Sequence, residues 1–225
     1  MSKTSTESGQ PSLRDMISGQ WFHSVGLDFE NQLFLTVHPD NPHIGVSPDF
    51  IDGLARNNIT YYISRGRLTL NADGSGSETI LTTINLAVHP DVIKHYELSA
   101  DAELTIETTT STDFIWEVGE RQGYKTLIYH LQDHHTKTTD LLIDNKNAEE
   151  TLLNAPLKDI TFEFRQEMVR IIIEDLSQRF AQESSDVEED SIMLKYIRDA
   201  RHDSLVVDTG VIIYEMTREE LPMTP

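Results

Sequence analysis

The chain has 225 residues, which suits one all-β domain with additions or at most two small domains. Its 38 Asp and Glu residues outnumber 18 Lys and Arg residues, giving a formal net charge of −20 that disfavours binding to nucleic acid or to anionic membrane surfaces. There are no cysteines, so disulfides, zinc–thiolate sites and cysteine nucleophiles are excluded.

Residues 1–12 are polar and lack the apolar core of a signal peptide, so we interpret them as a flexible tail. No apolar run approaches the roughly 20 residues needed to cross a bilayer. We therefore expect a cytoplasmic protein with no membrane partner. Residues 13–220 are interpreted as a single domain and residues 221–225 as a loose tail.

Apolar and polar side chains alternate along much of the chain, which is the signature of half-buried strands. Short helical turns are predicted at residues 13–18 and 48–56 near the N-terminus. Turns are predicted at residues 71–77, 121–123 and 133–137. The predicted strands cover residues 21–25, 32–38, 60–70, 78–88, 96–107, 113–118, 124–132, 138–143, 192–197, 204–207 and 211–216.

The longest of these predicted strands, residues 96–107, separates an apolar side from an acidic side. Leu104 and Ile106 are on the first side, and Glu103 and Glu107 are on the second. We expect the apolar side to face the interior and the charged side to face water. The opposite arrangement, in which the carboxylates line the interior, stays open.

The pattern changes after residue 160. Apolar residues recur at helical spacing and no Pro or Gly interrupts the segment, so an amphipathic helix is predicted over residues 161–183. The run of Ile171, Ile172 and Ile173 leaves a strand as the alternative. A charged loop follows, and residues 161–190 could together bind a protein partner.

The consecutive strands between residues 60 and 143 leave no room for crossover helices, which predicts an antiparallel sheet. Closure of such a sheet removes its exposed edges. We therefore predict a mainly β protein, an up-and-down antiparallel β-barrel with one late amphipathic helix and short N-terminal helical turns.

Three short motifs resemble those of lipocalin-like barrels. Gly19-Gln20-Trp21 is similar to the Gly-x-Trp start of their first strand, and residues 66–76 resemble a strand-and-turn signature of the bacterial members. Residues 203–207 and 214–218 resemble their closing strands. The resemblance implies that Trp21 and Arg218 pack together across the closed end of the barrel. It also implies a protein that encloses a small, mostly apolar ligand.

Aromatic side chains spread through the predicted strands can fill a core or line a cavity for such a ligand. The candidate ligand-binding residues are Tyr62, Tyr96, Phe114, Trp116 and Tyr129. A cofactor-free isomerase, cyclase or lyase on the same barrel is the alternative, and an acidic protein-interaction module is a third hypothesis. For the enzyme, the candidates for proton transfer are Tyr62, Tyr129 and His130. We expect no cofactor.

Histidines form two further patterns. His130, Asp133, His134 and His135 are the densest group of candidate metal ligands, but we interpret them as a solvated hairpin tip and expect no metal. The tripeptide His-Pro-Asp occurs at His38 and again at His89. Pro is expected to end the strand and Asp to begin a turn at both places. The alternative is that both histidines meet at one rim of the barrel.

Overall fold

The computed structural model describes residues 11–28, 33–36, 45–56, 58–121, 123–156, 160–180, 189–198, 203–209 and 212–219. Over this part of the chain the protein is mainly β. The strands are β1 (Gly19–Asp28), β2 (Leu33–Thr36), β3 (Gly45–Val46), β4 (Ile59–Leu70), β5 (Ser75–Ala87), β6 (Glu103–Arg121), β7 (Tyr124–Ile143), β8 (Lys146–Asn147), β9 (Glu189–Arg198), β10 (Asp203–Asp208) and β11 (Ile212–Thr217). The helices are α1 (Leu13–Ile17), α2 (Pro48–Arg56), α3 (Pro90–Tyr96), α4 (Ala148–Leu153) and α5 (Phe162–Phe180).

Eight of the strands lie side by side in one antiparallel sheet, in the order β1, β4, β5, β6, β7, β9, β10 and β11. The short strands β2, β3 and β8 pair with β1, β11 and β7, respectively. One residue pair, Phe22 with Thr217, joins β1 to β11. This arrangement is consistent with a β-barrel-like fold.

The predicted hairpin between residues 60 and 88 is confirmed as β4 and β5. Its turn depends on Gly74, whose φ of +95° belongs to the left-handed region that favours glycine. The Asp73 carboxylate accepts a hydrogen bond of 2.9 Å from the Ser75 backbone N–H. The Asp-Gly pair therefore stabilises the turn in the way that its sequence predicts.

The late helix is confirmed, and the strand alternative for the isoleucine run is wrong. Two of its apolar residues, Phe164 and Ile171, are more than half exposed. The stripe that packs against the sheet instead recurs at helical spacing: Val169, Ile172, Ile173 and Leu176. No helix in the described ranges combines the length and the apolar character needed to span a membrane. Residues 181–183 of the predicted helix lie outside the described residues.

The predicted strand over residues 96–107 is wrong in its first half. His89 caps α3 by accepting a hydrogen bond from the Asp91 N–H, and Pro90 occupies the first turn of that helix. The helix ends at Tyr96, and its C-cap residue Glu97 has a left-handed φ of 51°. Tyr96 and Glu97 therefore belong to the helix and its cap, residues 98–102 form an irregular turn, and β6 begins only at Glu103. Local capping outweighs the period-two pattern here.

The predicted turn at residues 133–137 is also wrong, because β7 continues through it to Ile143. Two register shifts against β6 absorb one extra residue each, Gln132 and Thr139, as β-bulges. The β-branched threonines of both strands favour the extended conformation over a polar stretch that otherwise resembles a turn.

Residues directly opposite each other on neighbouring strands share a face of the sheet. We call the face that carries Trp21, Leu68 and Leu127 the inner face. It holds two apolar clusters. The Trp21 cluster consists of Ile17, Trp21, Leu68, Leu70, Phe114, Trp116, Leu127, Tyr129, Leu205, Val207 and Met216. The Ile106 cluster consists of Tyr96, Ala102, Ile106, Leu141, Ile143, Ala148, Leu152, Ala155 and Val169, and is covered by α3, α4 and α5.

Leu104 and Ile106 lie on the inner face, and Glu103 and Glu107 lie on the opposite face. For this part of β6 the expected orientation is therefore correct. Polar side chains separate the two apolar clusters on the inner face.

Candidate functional site

A band of polar side chains crosses the inner face between the Trp21 cluster and the Ile106 cluster. On β6 it begins after Ile106 and ends before Phe114. We call this band the polar belt. Its members are His23, Tyr62, Ser64, Glu78, Thr82, Thr108, Thr110, Thr112, His134, Thr136, Thr138 and Tyr214.

Cross-strand hydrogen bonds connect the threonines of the belt. The hydroxyls of Thr110 and Thr136 lie 2.8 Å apart, and the Thr112 hydroxyl lies 2.8 Å from His134 Nδ1. Thr138 donates a hydrogen bond of 3.1 Å to the Ser177 carbonyl and so attaches α5 to β7. β-branched side chains with hydroxyls thus maintain the strands while presenting hydrogen-bonding groups to the inner face.

Four titratable side chains of the belt form what we call the buried quartet: His23, Tyr62, Glu78 and Tyr214. His23 is 7% exposed, and its ring centroid lies 4.8 Å from that of Tyr214. Its Nδ1 atom is buried without a hydrogen bond. Burial lowers the pKa of His23 to about 4, so its imidazole is neutral at pH 7.

Glu78 occupies the inner face directly opposite Leu68, which is fully buried. Among the described residues its carboxyl group has no hydrogen-bond or ion-pair partner. Burial raises the pKa of Glu78 to about 7. The residue nevertheless keeps intermediate exposure. It is therefore deep in the protein and in contact with accessible space.

The two tyrosines complete the quartet. Burial, and then the proximity of Glu78 and Tyr62, raises the pKa of Tyr214. Burial also raises the pKa of Tyr62, although hydrogen bonds with Ser64 and Thr82 act in the opposite direction. Both phenols are neutral at pH 7 and, like Glu78, keep intermediate exposure. Only Glu78 changes its charge near neutral pH within this quartet.

Gly66 provides the space that His23 occupies, because the two residues are opposite each other on β4 and β1. A Cβ at Gly66 would overlap the imidazole ring, which also packs on Tyr214. We expect Gly66→Ala to lower the free energy of unfolding by about 2 kcal/mol through overpacking, as measured by urea denaturation. The cost should fall below about 1 kcal/mol in a His23→Ala background, where the clash is absent.

Gly53→Ala in α2 is the matched control for that substitution. No atom lies within 4 Å of a Cβ at this position, so the change should stabilise the helix by up to about 1 kcal/mol. A Gly66→Ala protein as stable as the parent would contradict the packing of His23 against Gly66.

The sequence-predicted pair Trp21 and Arg218 lies at the end of the inner face that α1 covers. The Arg218 guanidinium carbon is 3.7 Å from the Trp21 ring centroid, and its nitrogens donate to the carbonyls of Met16 and Ser18 at 2.7 and 2.8 Å. Trp21 Nε1 donates to the Ile17 carbonyl at 2.7 Å. Gly19 has a φ of +116°, and a Cβ there would lie 2.6 Å from the guanidinium. The Gly-x-Trp motif is explained by this close approach.

The five predicted ligand-binding aromatics lie in three places. Phe114, Trp116 and Tyr129 are buried in the Trp21 cluster, and Tyr96 is buried in the Ile106 cluster. Of the five, Tyr62 is the one that lies in the polar belt. It is therefore also the one of the five that belongs to the buried quartet.

The four candidate metal ligands are not brought together. His134 lies on the inner face beside Thr112, whereas Asp133 and His135 lie on the opposite face with 3.6 Å between Oδ2 and Nδ1. His130 lies opposite the exposed Ile115, 4.0 Å from Glu117. The described ranges contain no cluster of three or more metal-ligating side chains.

The remaining predicted surfaces are described in part. His89 is an exposed helix cap, and His38 lies outside the described residues, so their meeting at one rim stays a prediction. On α5, Phe162, Phe164 and Ile171 are each more than half exposed, which leaves apolar side chains on the segment predicted to bind a partner. Residues 181–188 of that segment also lie outside the described part.

Sequence reasoning did not select His23, Glu78 or Tyr214. The signal that could have found them is their position in the alternating pattern of a strand. Each lies an even number of residues from apolar neighbours that point inward, as Glu78 does from Ile80 and Ile84. A carboxyl group on the apolar side of a strand indicates a built polar site. No family model and no curated protein matches this chain, so the geometry of the buried quartet is the basis on which a function can be inferred.

Proposed function

We propose that this chain is a lipocalin-like, up-and-down β-barrel that binds a small molecule on its enclosed inner face. The order of the eight long strands and the pairing of Phe22 with Thr217 support closure of the sheet. The stacking of Arg218 on Trp21 supports a barrel with one end sealed. Removal of sheet edges is the physical advantage of closure.

The observation that carries the binding proposal is Glu78. Raising the pKa of a carboxyl group from 4.5 to about 7 costs about 3 kcal/mol of stability at neutral pH. An unpartnered carboxyl group near Tyr214, on a face that also holds an unpartnered histidine nitrogen, is a poor way to fill a core. It is a reasonable way to build a pocket whose polar groups are completed by a ligand.

Binding is tested with N-phenyl-1-naphthylamine, a weakly polar fluorophore whose emission rises in apolar surroundings. Thr82→Trp adds bulk to the polar belt, and Thr79→Trp on the exposed opposite face of β5 is the matched control. We expect saturable binding by the parent and by Thr79→Trp, and at least tenfold weaker binding by Thr82→Trp. Circular dichroism establishes that each variant is folded.

Two outcomes would overturn the proposal. One is the absence of saturable fluorescence with the parent protein up to the solubility of the probe. The other is equal binding by a folded Thr82→Trp protein, which would place the probe elsewhere on the surface.

An enzyme on the same barrel is the second candidate. Its support is that burial raises the pKa of Glu78 to about 7, where a carboxyl group can both accept and donate a proton. Tyr62, predicted for proton transfer, lies in the same quartet, whereas Tyr129 is in the Trp21 cluster and His130 is on the opposite face of the sheet. Slow turnover of a bound ligand by the parent, abolished in Glu78→Gln with binding retained, would favour this candidate.

A further inference from the structure

We propose that the polar belt recognises a small organic amine, whose protonated nitrogen pairs with the Glu78 carboxylate of the buried quartet. The inference rests on the proposed function, because it names the chemical class of ligand that the inner face takes. It is argued from the charges, the unpartnered atoms and the aromatic rings of the belt.

The first step is the sign of the charge. At the inner-face positions of β1, β4, β5, β6 and β7 between the two apolar clusters, Glu78 is the one acidic residue and none is Lys or Arg. Asp190 of β9, paired with Tyr129, adds a second acidic residue in the inner-face register. Arg218 and Arg14, which lie near the Trp21 cluster, contact aromatic rings of that cluster instead of the belt. Arg218 lies over Trp21, and the guanidinium carbon of Arg14 is 5.0 Å from the Trp116 ring centroid. An anionic ligand in the belt would face Glu78 without a cation to balance it.

The second step is the missing partner. A buried carboxylate is stable when a cation and hydrogen-bond donors satisfy it, and Glu78 has neither among the described residues. An ammonium group brings both a positive charge and N–H donors. A neutral alcohol brings one donor and no charge. It therefore compensates less than an ammonium group for the hydration that the carboxylate loses on burial.

The third step is the surroundings of Glu78. Tyr214 is close enough to Glu78 for the two charges to influence each other, and Tyr62 is close to Tyr214. Aromatic rings attract cations through their π faces. His23 is neutral at pH 7 because burial lowers its pKa to about 4, so it does not repel a cation.

The fourth step is the body of the ligand. Ile80 and Ile84 share the inner face with Glu78 on β5, and both keep intermediate exposure. The belt therefore offers apolar walls beside its polar groups. A compound with an apolar ring system and one amino group matches this combination, whereas a polyamine or a sugar would leave many polar groups unmatched.

The test uses three probes with one ring system and different head groups: 2-(1-naphthyl)ethylamine, 2-(1-naphthyl)ethanol and 1-naphthylacetate. Isothermal titration calorimetry at pH 7 should show the amine binding at least tenfold more tightly than the alcohol, and the acid binding most weakly. Glu78→Gln should weaken the amine at least tenfold and change the alcohol less than threefold. Glu117→Gln, an exposed carboxylate on the opposite face, should change neither.

The number of protons released on binding is a further measurement. It would not depend on Glu78 if this residue had only a structural role. At pH 6 the carboxyl group is mostly protonated, so pairing with an ammonium should release close to one proton per ligand, falling toward none at pH 8. At the described inner-face positions, the other titratable residues include Tyr62, Tyr214, His23, His134 and Asp190. The tyrosines and His23 stay neutral over this range, and a His134→Gln variant should retain the release. Titrations in buffers of different ionisation enthalpy measure it.

The outcomes separate the inference from the proposed function. Equal affinities for amine and alcohol, or an unchanged amine affinity in Glu78→Gln, would overturn the inference and leave small-molecule binding in place. Binding of N-phenyl-1-naphthylamine without binding of the ethylamine would have the same meaning. If no probe binds in either experiment, both proposals fail.

Discussion

Glu78→Gln should become more stable relative to the parent protein by about 3 kcal/mol as the pH rises from 4.5 to 7. The folded pKa of Glu78 is raised, so in this window the folded state holds a proton that the unfolded state has released. Stability from this group is therefore lost as the pH rises. Glutamine does not titrate, and the difference between the two proteins isolates the contribution of Glu78.

His23→Gln should show the opposite dependence, because burial lowers the pKa of His23 to about 4. Between pH 6.5 and 4 the unfolded state binds a proton that the folded state does not, so the parent loses stability as the pH falls. The variant should gain about 3 kcal/mol relative to the parent over that range. In the parent, the two contributions oppose each other between pH 4.5 and 6.5.

Urea denaturation at half-unit pH intervals measures both effects. Thr79→Gln is the matched control, because this exposed position carries no titratable group and its difference from the parent should not depend on pH. A pH-independent difference for Glu78→Gln would show that its carboxyl group is solvated as in the unfolded chain. That result would remove the buried quartet as a site.

Trp21→Ala should lower the free energy of unfolding by about 4 kcal/mol, since Trp21 is fully buried among the apolar side chains of its cluster. Arg218→Ala should cost about 2 kcal/mol, because its guanidinium hydrogen-bonds the carbonyls of Met16 and Ser18 at the end of α1. Both values are measured by urea or thermal unfolding.

The two substitutions should not be additive. The guanidinium lies over the Trp21 ring, so a double-mutant cycle should give a coupling energy of about 1 kcal/mol from the cation–π contact. Arg218→Lys should recover part of the loss, because an ammonium keeps the charge and loses the planar stacking. Additive costs within about 0.3 kcal/mol would mean that the two side chains stabilise the protein independently.

Local patterns predicted the elements whose signals agree with one another. The β4–β5 hairpin combines alternation with an Asp-Gly turn, and α5 combines helical spacing with an absence of Pro and Gly. The prediction was wrong where two local signals compete. At residues 96–102 the end of a helix, its left-handed cap at Glu97 and a turn replace the first half of the predicted alternation, and at residues 133–137 paired β-branched strands outweigh a polar composition.

The candidate site was less predictable than the fold, because its residues come from β1, β4, β5 and β11. Tyr62 was selected from sequence as an aromatic residue, and His23, Glu78 and Tyr214 were not. Each of these three has the phase of its apolar neighbours. The alternating position of a residue along its strand indicates that the side chain points inward. It does not indicate which residues of distant strands the side chain contacts there.

By itself, the sequence determined the acidic surface charge, the alternation that makes strands and the turn and capping residues that end them, because these depend on a residue and its near neighbours in the chain. The tertiary structure alone decided that Arg218 stacks on Trp21 and that Glu78 lies beside Tyr214 on an inner face it shares with His23. These contacts depend on the register and curvature of strands far apart in sequence, which are selected by the packing of the two apolar clusters and by backbone pairing across the sheet.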